Sequence, residues 1–263
     1  MIPGRGSIYF FLFEKIDYIC AMIYIQSNEE RTLPHHFDCA CALYGAIDRG
    51  LEYKLISYDD LISGRYNPLF KKRLFVGSVE FLSEIFRRIG VSPRVPVNSN
   101  RISEEMSLGE AVKRIENGEK LFIKPKQIKL FTGMVTDTMT LSCLKPYPND
   151  ARVWVYKPFE SPIKSEWRCY VLDGRVRDIR NYSGDIWELP DYNFVGRIIQ
   201  EYRDVFPSAF TIDVGILESG ENVVIEFNDM WAIGNYGMEN SIYLRMLRER
   251  WFEIMRGINA EVA

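Results

Sequence analysis

The chain reads as a two-part α/β protein, with a small layer of parallel strands followed by a larger α+β region built on antiparallel hairpins. Three observations predict it. Strand and helix patterns alternate over residues 23–90, hairpin turns at Asp173-Gly174 and Ser219-Gly220 punctuate the second half, and the Pro-containing stretch 91–100 lies between the two parts. With 263 residues, 47% of them hydrophobic, the chain can bury a substantial core.

The apolar run Ile23-Tyr24-Ile25 predicts a first strand, and residues 37–49 carry small and apolar side chains at helical spacing up to Gly50. A second strand follows at 53–57 and a third at 74–77. An amphipathic helix over 79–89 is closed by Gly90. Strands separated by helices run parallel, so residues 22–100 predict one small domain ending in a linker at Pro93 and Pro96. Residues 1–21 read as an N-terminal extension, because Met22 offers a second plausible start just before the first strand.

The second domain is expected over 101–263. Ser107 with Glu110 three residues on signals a helix start, and Asn117-Gly118 its end. Residues 121–125 form a strand ending in Lys124-Pro125, followed by a lysine-rich loop over 126–133. Residues 153–156 are a strand stopped by Pro158 and Pro162. Strands 167–172 and 175–180 pair as a hairpin, a helix lies near 194–202, and a last hairpin joins 210–217 to 222–228. No internal repeat is evident.

Composition narrows the chemistry. A formal charge of −3, from 33 basic and 36 acidic residues, provides no global field for nucleic acid or an anionic membrane. Glu14, Lys15 and Asp17 interrupt the apolar stretch 8–25, which fails as a membrane span, and no signal-peptide cleavage pattern follows it. The five cysteines lack a zinc or redox spacing and read as free thiols of a cytoplasmic protein. Only His35 and His36 are present, so the chemistry is expected to come from carboxylates, Arg and Lys.

The last hairpin is the most informative segment. Glu226 and Asn228 are two residues apart and share one face of their strand. If the turn at Ser219-Gly220 sets Asp213 opposite them, three hard oxygen donors converge, a set suited to Mg²⁺. Acids within apolar strands are costly to bury without a cation or hydrogen-bond partners. The alternative is an ordinary hairpin whose acids face solvent.

Asp213, Glu226 and Asn228 match the spacing of the metal-binding strands of the ATP-grasp ligases, such as D-alanine:D-alanine ligase. Phe122-Ile123-Lys124-Pro125 resembles that family's strand ending in Lys-Pro, and the segment from Glu166 to Gly174 resembles the strand after its adenine hinge. The resemblance spans roughly residues 101–250. Within the superfamily, Lys129 to Gly133, Glu166-Trp167-Arg168 and Arg180-Asn181-Tyr182 look most like a small bacterial and phage clade named for two arginines and a lysine. The resemblance implies an ATP-grasp fold of two subdomains hinged near 155–160, preceded by the small α/β domain.

It also implies roles. Asp213, Glu226 and Asn228 would hold Mg²⁺, while Lys124 and Lys129 would reach ATP phosphates. Tyr156, Lys157 and Phe159 would belong to the adenine hinge, Glu166 would bind ribose, and Arg168 and Arg180 would neutralise a carboxylate or phosphate. Two departures stand out: the loop after Lys124 lacks a Gly/Ser-rich run, and a further family lysine has no clear counterpart over 79–88.

The implied activity is ATP-dependent ligation of a small-molecule or peptide carboxylate to an amine through an acyl phosphate. The rivals are an ATP-grasp kinase acting on a hydroxyl and a nucleotide-binding module without turnover. Structural alternatives stand beside these roles: Lys124 as a surface lysine and Arg168 in a structural ion pair, while Trp231 and Tyr236 of the loop 230–238 either line a substrate pocket or pack the loop down. The acid, the amine and the oligomeric state are left open.

Overall fold

The computed structural model describes residues 22–66, 73–93, 103–127 and 130–261, with backbone only for 258–261. The extension 1–21, most of the linker, and Lys129 lie outside these residues.

Three parallel strands, β1 (Met22–Gln26), β2 (Tyr53–Ile56) and β3 (Arg73–Val76), form a sheet in the order β2-β1-β3. Ile23, Tyr24 and Ile25 of the central strand are all buried, as expected where helices cover both faces of a parallel sheet. The covering helices include α1 (Phe37–Asp48) and α3 (Val79–Arg88), the latter burying Phe81, Leu82, Ile85 and Phe86. A short helix that the sequence pattern does not predict, α2 (Tyr58–Ile62), follows β2. Its Asp60 is buried and takes ion pairs from Arg31 and Arg65.

The second unit is an antiparallel sheet in the order β4-β7-β5-β6, built from β4 (Ser103–Ser107), β5 (Leu121–Pro125), β6 (Met134–Thr136) and β7 (Arg152–Tyr156). β4 and β6 are short and polar or partly exposed, and offer no alternation to read. Helix α4 (Leu108–Glu116) begins with the expected cap: the Ser107 hydroxyl accepts from the Glu110 N–H at 3.2 Å, and the Glu110 carboxylate accepts from the Ser107 N–H at 2.8 Å. Leu108, Ala111 and Ile115 pack on Ile123, Val153 and Val155.

A second antiparallel sheet, in the order β11-β10-β8-β9, contains β8 (Ile163–Leu172), β9 (Arg175–Gly184), β10 (Ala209–Leu217) and β11 (Asn222–Asp229). One face is closed by α5 (Tyr192–Glu201), whose Val195 and Ile199 pack with Cys169, Val171, Ile212 and Val214. Side chains alternate along a strand, so Arg168, Tyr170 and Asp213 fall on the other face.

The C-terminal helix α6 (Asn240–Glu261) is a further element that the sequence pattern does not predict. Its Tyr243, Leu244, Leu247 and Trp251 belong to the core of the parallel sheet, so the last helix packs with the first segment of the chain. Arg250 forks onto Asp229 at 2.5 and 2.8 Å and ties α6 to the end of β11.

Candidate active site

The antiparallel register builds a row of charge across four strands. Arg180 pairs with Arg168, Arg168 with Asp213, and Asp213 with Glu226, while Asn228 pairs with Thr211 two positions along. Directly paired residues share a face, so Arg180, Arg168, Asp213, Glu226 and Asn228 all project from the side opposite α5. A bulge leaves Ile225 as the extra residue of β11 beside the Asp213–Glu226 pair.

The side chains then close on one another. Arg168 donates from Nε and Nη2 to the two oxygens of Asp213 at 2.8 and 2.7 Å, both residues being buried. The Asn228 amide donates to Asp213 at 3.2 Å and to Glu226 at 3.4 Å. Burial raises the Asp213 carboxyl above its ordinary range, against the pull of Arg168. For Arg168, burial works against the charge, but the Asp213 carboxylate more than offsets it and the guanidinium is held more firmly protonated.

Lys124 of β5 crosses from the other antiparallel sheet to form an ion pair with Glu226. Between the two sheets lies a cleft of about 1100 Å³, lined by Phe122, Lys124 and Tyr156 on one side and by Glu166, Glu226 and Asn228 on the other. The segment after β7, including Pro158 and Phe159, forms part of its wall.

Arg168 also has aromatic neighbours. The Tyr182 and Tyr236 rings lie 5.7 and 5.0 Å from its guanidinium carbon and stack on each other at 5.4 Å. The Tyr182 hydroxyl donates to Glu166 at 2.8 Å, and burial raises its ionisation well above the ordinary range. Tyr236 adopts a positive φ of 49° in the loop after β11. That loop is held by Tyr170, whose hydroxyl reaches the Gly234 and Asn235 carbonyls at 2.6 and 2.9 Å, and by the Asn235 N–H, which donates to Asp38 at 2.7 Å.

Of the residues singled out from the sequence, Asp213, Glu226, Asn228, Lys124 and Arg168 therefore meet in one cluster. Glu166, Tyr156 and Phe159 line the adjoining cleft. Lys157 is exposed and is not itself part of the cleft lining, though it pairs with Glu160, which is. Arg180 lies in the row, but its guanidinium turns to Asp178 at 2.6 Å. Trp231 lines a separate cavity of about 190 Å³ next to α3. Tyr182 and Lys126 are cleft residues to which the sequence assigns no role or only an open one; Tyr182 is the bulge residue of β9, so strand alternation alone does not point it at the cleft.

The donor set suits a divalent ion of the magnesium type, having two carboxylates and an amide that a half-turn would present through its oxygen. Among the described residues, no group of three or more His, Cys, Asp or Glu side chains is arranged to hold a metal. No helix among those residues is long and apolar enough to cross a membrane.

A search of the curated proteins returns no match. Among solved structures, the chain resembles the ATP-grasp ligase PsnB complexed with a phosphomimetic variant of its minimal precursor, Mg and ADP, with a TM-score of 0.53 and 12% identity over 89% of this chain and 97% of that one. D-cycloserine synthetase DcsG aligns with a TM-score of 0.52 and 12% identity over 89% and 99% of the two chains. The macrocyclase MdnC bound with precursor peptide MdnA, from Microcystis aeruginosa MRC, aligns with a TM-score of 0.51 and 8% identity over 86% and 98%. These likenesses are of fold. Residues 101–246 match the ATP-grasp domain of the second family in the clade named for two arginines and a lysine, and since that stretch is more than half of the chain and contains the charged row and the cleft, the chain belongs to this ATP-grasp family.

Proposed function

We propose that the chain is an ATP-dependent ligase that joins a carboxylate to an amine through an acyl phosphate, releasing ADP and phosphate. The observation that carries this reading is the convergence of Asp213, Glu226 and Asn228 with Arg168 and Lys124 beside a cleft between two antiparallel sheets. Asp213, Glu226 and Asn228 would hold Mg²⁺, which when bound neutralises polyphosphate charge. In the same proposal, residues 22–100 and 101–263 are the two domains, with a hinge near 155–160.

The remaining roles follow from position. Tyr156 and Phe159 would flank the adenine, and Glu166, oriented by Tyr182, would accept from ribose hydroxyls. Lys124 would place a compact charge on the phosphates. Arg168, with Nε and one Nη committed to Asp213, would orient that carboxylate. Arg180 would meet the substrate carboxylate once it leaves Asp178. In the chemistry proposed, a carboxylate oxygen bonds to the γ-phosphorus as ADP departs. The amine nitrogen then bonds to the acyl carbon as phosphate departs and the nitrogen loses a proton. The charged row supplies fixed electrostatic stabilisation where negative charge accumulates. PsnB and MdnC are described with precursor peptides, which makes a peptide one candidate substrate here.

The test uses the full chain with ATP and pooled amino acids, amines and peptides. ADP release with new amide masses by mass spectrometry is expected, and Glu226→Gln should lower turnover on the order of 100-fold or more. A phosphorylated metabolite without an amide would move the assignment to a kinase, and unchanged turnover in Glu226→Gln would remove the metal role.

A further inference from the structure

We infer that Lys124 is an internal counter-ion for the metal ligands, so that a divalent ion binds together with nucleotide and only weakly without it. The inference rests on the ligand set proposed above. Four charged side chains meet in the cluster: the carboxylates of Asp213 and Glu226 and the cations of Arg168 and Lys124. Their charges cancel, and Glu166, which also acts on Asp213, leaves the neighbourhood with one negative charge. A divalent ion arriving alone meets only a weak net attraction, and one of its carboxylate ligands is already engaged by an ammonium.

The two cations are held very differently. Arg168 is buried, forked onto Asp213 and flanked by two tyrosine rings, so it stays with that carboxylate. Lys124 has a side chain 46% exposed, its partner Glu226 is 33% exposed, and the pair spans the cleft from one sheet to the other. An ion pair so exposed is weakly held and exchanges partners readily. A polyphosphate offers Lys124 an alternative anion and brings negative charge of its own. When the ammonium transfers from Glu226 to a phosphate oxygen, the carboxylate is released toward the metal position. Nucleotide and metal are thereby coupled, and each must raise the affinity for the other by the same factor. Lys124 is in this sense a positioning residue as well as a phosphate contact.

The experiment titrates Mn²⁺ into the full-length wild type, Lys124→Met and Lys124→Gln, following the free-ion paramagnetic resonance signal, with and without a non-hydrolysable ATP analogue. Wild type is expected to bind Mn²⁺ weakly alone and at least ~10-fold more tightly with the analogue. Both variants should bind Mn²⁺ alone ~10-fold more tightly than wild type, because the site then loses a positive charge and Glu226 loses the ammonium that engages it. Their gain on adding the analogue should shrink. If the variants bind Mn²⁺ alone no more tightly than wild type, while the analogue still promotes binding in wild type, Lys124 is a phosphate contact and nothing more. If wild type binds no Mn²⁺ even with the analogue, and Glu226→Gln matches it, the metal assignment itself is lost and this inference goes with it.

Discussion

Replacing either member of the Arg168–Asp213 pair should destabilise the protein far more than replacing both. The two residues are 7% and 1% exposed and joined by hydrogen bonds of 2.8 and 2.7 Å. Unit charges about 4 Å apart attract by ~4 kcal/mol at an effective dielectric near 20. Arg168→Met leaves the buried Asp213 carboxyl without its partner, and Asp213→Leu strands the guanidinium. Breaking a buried pair from one side costs about 3–5 kcal/mol, whereas exchanging both partners for apolar groups of similar volume is often near neutral. Each single variant should therefore lower Tm by roughly 6–20 °C, at ~2–4 °C per kcal/mol for a chain of this size. The double variant should recover most of that loss. Urea unfolding followed by tryptophan fluorescence provides the cycle, with an expected coupling of about 5 kcal/mol or more, since the single losses of about 3–5 kcal/mol each are nearly all recovered in the double variant. Single losses below ~1 kcal/mol, or a double loss equal to their sum, would refute the claim that these charges are desolvated together. Because Asp213 serves stability in this way, Glu226 is the cleaner position at which to test the chemistry.

Three further outcomes follow from the fold. Asp60 is held down from its usual 3.8 to about 2, first by its hydrogen bond to Arg31, with burial working the other way. A depressed carboxyl stabilises the folded state above its unfolded pKa and loses that contribution as pH falls through the folded value. Stability should thus drop by about 1–2 kcal/mol between pH 4 and 2, after discounting for the exposed arginines, and an acid titration of Asp60→Asn should lack this step. Ser107→Ala removes the cap of α4 and should cost ~1 kcal/mol in urea unfolding without changing the position of the cleft residues, as read by unaltered nucleotide affinity. Gly184 has φ 76°, and an added Cβ would collide with the Lys164 carbonyl oxygen and lie 2.9 Å from the Ser165 Cα. Gly184→Ala should therefore lose at least ~2 kcal/mol, and a loss within error of zero would show that this strand end relaxes freely.

Local patterns carry much of the architecture. The Ser107/Glu110 cap, the Asp173-Gly174 and Ser219-Gly220 turns and the alternating strands of the second half depend on neighbours a few residues apart, and the structure has them where the sequence places them. α6 escapes such patterns for a physical reason. Tyr243, Leu244, Met246, Leu247, Trp251, Ile254 and Met255 bury more than one stripe, and Arg248 and Arg250 are buried among them, so no clean apolar face marks the helix. β4 and β6 escape them because three to five polar or half-exposed residues hold no period to detect; their pairing partners define them.

The sequence by itself determined that Glu226 and Asn228 share a face and that a tight turn returns their strand alongside the one carrying Asp213, since strand period and hairpin turns are short-range properties of the chain. The register that sets Asp213 opposite Glu226 includes a bulge that the structure supplies. Only the tertiary structure decided which cations meet those ligands. Arg168 reaches Asp213 across 45 residues and Lys124 reaches Glu226 across 102, from a strand in another sheet. Such contacts depend on how whole sheets dock, and sheet docking is settled by the three hydrophobic cores together and by no local motif.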